Sequence, residues 1–124
     1  MDLAIATRED GDSAVVVALS GELDIGSADL LRDHLTTLLA RGRTRIVMDL
    51  TQLAFCDSTG LSTFVKASHG CVEQGGYLRL AAPNSHLARV LSIVGLLDLF
   101  PTYSTVDGAR LADVSALVEP VATI

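Results

Sequence analysis

The residues best equipped for chemistry form one stretch, Phe55-Cys56-Asp57-Ser58-Thr59-Gly60-Leu61. It places a thiol, a carboxylate and two hydroxyls side by side. An apolar, β-rich run (Ile46, Val47, Met48, Leu50) precedes it through a short loop, and an amphipathic helical pattern leaves it. The hydroxyls are therefore expected at a helix N-terminus, where backbone N–H groups lie unpaired and the dipole favours negative charge. A phosphoryl group added there sits at the helix end that tolerates it. These residue types predict a docking site controlled by phosphorylation rather than a catalytic centre.

Catalytic readings lack their parts. A serine nucleophile needs a base and an oxyanion hole. The chain has no Gly-x-Ser-x-Gly elbow, and no spacing brings His34, His69 or His86 to Ser58. It has no Walker A loop, so it is not expected to phosphorylate itself. Cys56 and Cys71 form no CxxC pair, and the histidines show no metal-ligand spacing. No enzyme activity, metal or cofactor is expected. Cys56 reads as a buried or half-buried thiol with no basic neighbour to lower its pKa. A serine at a helix start is also a common N-cap, the plainest alternative for Ser58.

Composition narrows the partners. The net charge of −6 and pI near 4.8 argue against nucleic-acid binding and against an anionic membrane surface. A basic protein partner would be steered in by the field. With 49% hydrophobic residues, three Phe, two Tyr and no Trp, the core must be aliphatic. Two cysteines allow one disulfide at most and a core of this size needs none, so a cytoplasmic setting is expected. No signal peptide and no membrane span is predicted.

The elements that position the stretch follow from periodicity. Leu3–Thr7 and Ala14–Leu19 read as strands of a hairpin turning at Asp10-Gly11-Asp12. Gly21-Glu22-Leu23-Asp24 reads as a loop. A helix with Leu31, Leu35 and Leu38 on one face follows, capped by Asp24 or Ser27 and closed by Gly42. Arg45–Leu50 is a strand, and Asp57 opens the central helix with Leu61, Phe64, Val65 and Val72 as its apolar positions. Tyr77–Ala81 is a strand, and Pro83-Asn84-Ser85 opens a helix with Leu87, Val90, Leu91 and Val94, stopped by Gly95. Leu99-Phe100-Pro101 is expected as an edge strand, and Thr105–Val118 as a last helix weakened by Gly108. The fold class is α/β. Residues 1–124 form one domain, a mixed, mostly parallel sheet of roughly four to five strands with an N-terminal antiparallel hairpin and about four helices.

Gly21-Glu22-Leu23-Asp24 after the second strand and Asp57-Ser58-Thr59-Gly60-Leu61 after the third resemble the STAS domain. More narrowly, the chain resembles the stand-alone anti-sigma factor antagonists, over nearly its whole length. The resemblance implies that Ser58 is the phosphate acceptor, with Thr59 the alternative. It implies an anti-sigma factor with a GHKL-type serine kinase fold as partner and a PP2C-type phosphatase to reset the switch. The unphosphorylated form would bind the kinase and free a sigma factor. Asp24, Asp57, Ser58, Thr59, Gly60, Leu61 and Ser62 are the implied partner-binding residues, in a monomer or weak dimer. Ser62 stands where many family members carry glycine. STAS domains also serve as accessory subunits of lipid-transport ATPases or as scaffold subunits of stress-signalling assemblies; a third alternative is ligand sensing, since the helix N-terminus could hold a nucleotide or other anion directly.

Overall fold

The computed structural model describes residues 2–10 and 14–120. Strands β1 (Ala4–Asp10) and β2 (Ala14–Leu23) pair antiparallel, while β3 (Arg45–Cys56), β4 (Tyr77–Ala81) and β5 (Thr102–Tyr103) extend the sheet in parallel, in the order β1-β2-β3-β4-β5. The centre of the expected hairpin turn lies outside the described residues. Helices α1 (Ala28–Ala40) and α2 (Ser58–Glu73) cover one face. The valines of β2 explain why this face closes so tightly. Val15, Val17 and Leu19 point into it with Ile46, Met48 and Leu50 of β3, and all six are fully buried. Leu31, Leu35 and Leu38 of α1 and Phe64 of α2 fill the space above them. Helix α3 (Ser85–Ile93) adds Leu87 and Leu91 to the same cluster. The opposite face is covered less completely, by α5 (Val106–Leu111) over Val16, Val47, Ala81 and Tyr103.

Several elements depart from the sequence pattern. Gly21–Leu23 is strand, not loop, and β3 runs on to Cys56 instead of ending at Leu50. Residues that mimic a loop nevertheless pair across the two strands, Gln52 with Ser20, Gly21 with Leu53, Glu22 with Phe55 and Leu23 with Cys56. The ladder shifts register beside Gly21, whose φ of +97° suits glycine.

On α2, Val72 faces solvent and Cys71 fills the core position, since Phe64 and Cys71 lie seven residues apart on one stripe. Leu96–Leu99 forms a short helix, α4, one more than expected. Phe100 then plugs the core, and β5 begins only at Thr102.

The last helix is also cut short. After Leu111 the chain reverses at Ala112 (φ +51°), passes through a 3₁₀ turn at Val114–Ala116, and leaves Leu111 and Val114 exposed. The returning segment bonds to β5 instead, Ser104 N–H to Ala116 O (2.7 Å) and Val118 N–H to Thr102 O (2.8 Å). Gly108 is what admits it, because a Cβ there would stand 2.6 Å from the Ala116 methyl.

A side chain at Gly21 would collide with the Asp2 carbonyl oxygen. Gly21→Ala is therefore expected to destabilise the domain by about 2–4 kcal/mol, strain and overlap together. Urea unfolding reads this as a lower midpoint, and an unchanged midpoint would show that the hairpin yields without cost.

Candidate functional site

Two strand ends make the site. Because Leu23 and Cys56 are paired in register, the residues that follow them, Asp24 and Asp57, emerge side by side. Asp57 N–H donates to Leu23 O (3.1 Å), continuing the ladder one step beyond the strands. Asp57 is then the N-cap of α2. One carboxylate oxygen accepts from Gly60 N–H (2.9 Å), satisfying an end-of-helix donor. The other accepts from Ile25 N–H (3.0 Å), 32 residues away in sequence. A single side chain thus ties the start of α2 to the turn before α1.

That turn is organised by Asp24. Its carboxylate accepts from Gly26 N–H (2.9 Å) and Ser27 N–H (3.1 Å). Ser27 Oγ accepts from Asp24 N–H (3.0 Å) and donates to Glu22 O (2.9 Å). Ser27 occupies the N-cap position of α1, but its side chain makes no cap bond to the helix. The expected cap by Asp24 or Ser27 is instead an Asx-type turn ahead of the helix.

Ser58 is the first residue of α2 and is exposed. With Asp57 as the cap, the capping role expected as the alternative for Ser58 is already taken, and no hydrogen bond engages the Ser58 hydroxyl among the described residues. Thr59 is half-buried and Ser62 exposed. Both line a groove of about 200 Å³ between α1 and α2, together with Thr63, Arg32 and Lys66.

Gly60 and Leu61, expected as partner contacts, face inward. Gly60 is packed so closely that a Cβ would lie 2.7 Å from Leu23 Cγ and 2.8 Å from Cys56 Sγ. Leu61 is 9% exposed and belongs to the main core cluster. They set the seat of the helix instead of presenting a surface. Two apolar residues missed in the sequence take their place at the rim: Ile25, 79% exposed, and Phe55, 46% exposed. Their signal was a large apolar side chain at either side of acidic turn residues, where burial had no use for it.

Cys56 is half-buried beneath this rim. Burial, and secondarily the Asp57 carboxylate, push its thiol up to about 12. His34 pairs with Thr7 (2.6 Å), and His69 and His86 are exposed. Among the described residues no cluster of three or more His, Cys, Asp or Glu is disposed to hold a metal, and no helix is long and apolar enough to cross a membrane.

Residues 4–109 match the STAS domain, and the chain belongs to that family. It is 32% identical over 97 residues to the anti-sigma-B factor antagonist of Bacillus subtilis, covering 78% of this chain and 88% of that protein. It is 30% identical over 106 residues to the anti-sigma F factor antagonist of Paenibacillus polymyxa, covering 85% of each. The crystal structure of an anti-sigma factor antagonist from Mycobacterium paratuberculosis superposes with a TM-score of 0.80 at 28% identity, over 90% of this chain and 93% of that one.

Asp57→Ala should remove the cap and the tie to Ile25 together. The expected cost is about 1–2 kcal/mol, with faster amide exchange at both Ile25 and Gly60. Faster exchange at Gly60 alone would show that the turn holds itself.

The Cys56 thiol makes a second prediction. Its pKa is raised from about 9 in the unfolded chain, so its contribution to stability is full below pH 9 and is lost as pH rises from 9 towards 12. Iodoacetamide should label native Cys56 at pH 7.5 about tenfold more slowly than the urea-unfolded chain, or slower still. Equal rates, read by peptide mass spectrometry, would contradict the burial.

Proposed function

We propose that the protein is an anti-sigma factor antagonist whose docking is switched off by phosphorylation of Ser58. The observation that carries this reading is the Ser58 hydroxyl, exposed and unengaged at the first position of α2 while Asp57 does the capping. The names of the relatives at 30% identity and above support the class of partner, an anti-sigma factor. The partner would be a GHKL-type serine kinase, and a PP2C-type phosphatase would restore the unmodified form.

The physical logic is that modification must change binding and spare the fold. A phosphoryl group adds about −1.5 to −2 charges at pH 7. The helix dipole offsets part of this, by about 0.3–1 kcal/mol at an exposed site. The Asp57 carboxylate opposes it, but its oxygens are already committed to Gly60 and Ile25. Because Ser58 touches none of the core, the domain survives. The docking face does not survive unchanged. Asp24, Asp57, Ser58, Thr59 and Ser62 would meet the partner beside the apolar anchors Ile25 and Phe55. A dianion at its centre would have to be buried unpaired. A loss of about 3 kcal/mol lowers affinity on the order of a hundredfold.

The protein acts here as a ligand for a regulator, not as an enzyme. Ser58→Ala should bind the kinase with unchanged affinity and escape phosphorylation, while Ser58→Asp should fold but bind at least about tenfold more weakly. Titration calorimetry with the cognate kinase, with circular dichroism as the folding control, tests both. Equal affinity for the two variants, or phosphate mapped to Thr59 in the wild type, would overturn the assignment.

A further inference from the structure

At the end of the sheet opposite Ser58, three of the chain's nine cations line one cavity of about 280 Å³. Arg45 opens β3 and Arg79 lies in β4, while Arg110 reaches in from the end of α5. Arg45 is paired in register with Tyr77, and Arg79 stands two residues further along the same strand face. The Arg79 guanidinium lies 3.7 Å above the centre of the Tyr77 ring and donates to Ala109 O (2.9 Å). It is thus held in place by neutral groups. Arg110 is neutralised by Asp10 and Asp107.

Arg45 and Arg79 have no carboxylate partner among the described residues. This is unexpected in a chain with 15 carboxylates to nine cations. Arg79 is also half-buried on an inner strand, between β3 and β5, where a parallel sheet ordinarily carries apolar side chains. A half-buried guanidinium without a counterion is a costly residue to keep for packing alone. The held guanidinium of Arg79 and the exposed one of Arg45 on the neighbouring strand match the oxygen pairs of a phosphoryl group, which each can hold bidentately. The cavity exceeds the roughly 30 Å³ share of one water several times over, so it admits the phosphoryl group with a small substituent.

We propose that Arg45 and Arg79, with Tyr77 beneath, form a binding site for a phosphoryl group, supplied as free phosphate or as a small phosphate monoester. Arg110 closes the cup from α5, and its ion pairs keep it from dominating the site. One face of the Tyr77 ring is already covered by Arg79, so the phosphoryl group itself is the recognised element. The site goes beyond the docking role of α2. The 12 residues of β3 separate it from Ser58, roughly 35 Å at about 3.3 Å per residue.

The test is an amide-resonance titration of the full chain with inorganic phosphate and, separately, glycerol 3-phosphate, against chloride at equal ionic strength. Saturable shifts are expected at residues 45, 77, 79 and 110–112. Arg79→Gln and the exposed-site variant Arg45→Gln should each weaken binding about tenfold or more, and Ser58→Ala should leave it unchanged. Similar affinity for the two probes would make free phosphate the ligand; about tenfold preference for the ester would make it a phosphorylated small molecule. Absence of saturable shifts at these residues, shifts confined to 57–62, or binding retained in both arginine variants would overturn the proposal.

Discussion

One hydrogen-bonded step holds this molecule's two informative segments together: Asp57 N–H on Leu23 O, with the Asp57 carboxylate reaching back to Ile25. The step exists because β2 and β3 keep their pairing to Leu23 and Cys56, well past their apolar middles. Everything at the rim inherits its position from it. The start of α2, the turn before α1 and the two exposed apolar side chains are placed relative to one another by a single carboxylate with two different jobs. Each bond alone is worth about 1 kcal/mol, or somewhat more since the acceptor is charged. Together they convert two flexible chain segments into one surface.

The packing beneath separates this surface, where the charge switch is proposed, from the core. Gly60 is pressed against Leu23 and Cys56, and Leu61 and Phe64 enter the core one turn further on. The helix is therefore anchored by its inner face, and its first exposed hydroxyl contributes nothing to that anchoring. Cys56, raised to about 12 by its burial, adds no charge of its own at neutral pH. The site is thus electrostatically simple. Two carboxylates occupied with backbone donors surround a neutral hydroxyl, and a dianion placed there changes the outside of the molecule without touching the inside.

The two faces of the sheet are built to different standards. The face under α1 and α2 is closed by a large aliphatic cluster, whereas the face under α5 is a small cluster flanked by Arg45, Tyr77 and Arg79. The chain's return through the 3₁₀ turn, rather than a longer last helix, leaves that flank accessible. Gly108 permits this locally, because it leaves room for the Ala116 methyl to pack against the helix.

Periodicity alone settled much of the architecture. The valine run of β2, the leucine stripe of α1, the strand Tyr77–Ala81 and the caps around Asn84 and Gly95 are local signals, and local physics enforces them. The same was true of Ser58, since a helix start is marked by its own residues. What the linear pattern could not show was pairing between distant segments. Gly21–Leu23 and residues 51–56 look like loops because their side chains are polar or mixed, and only the neighbouring strand supplies the backbone partners that make them sheet. For the same reason Leu61 read as a contact, and Ile25 drew no reading at all. Whether a side chain faces the core or the solvent at a rim depends on which element lies across from it, and that is a property of the folded chain.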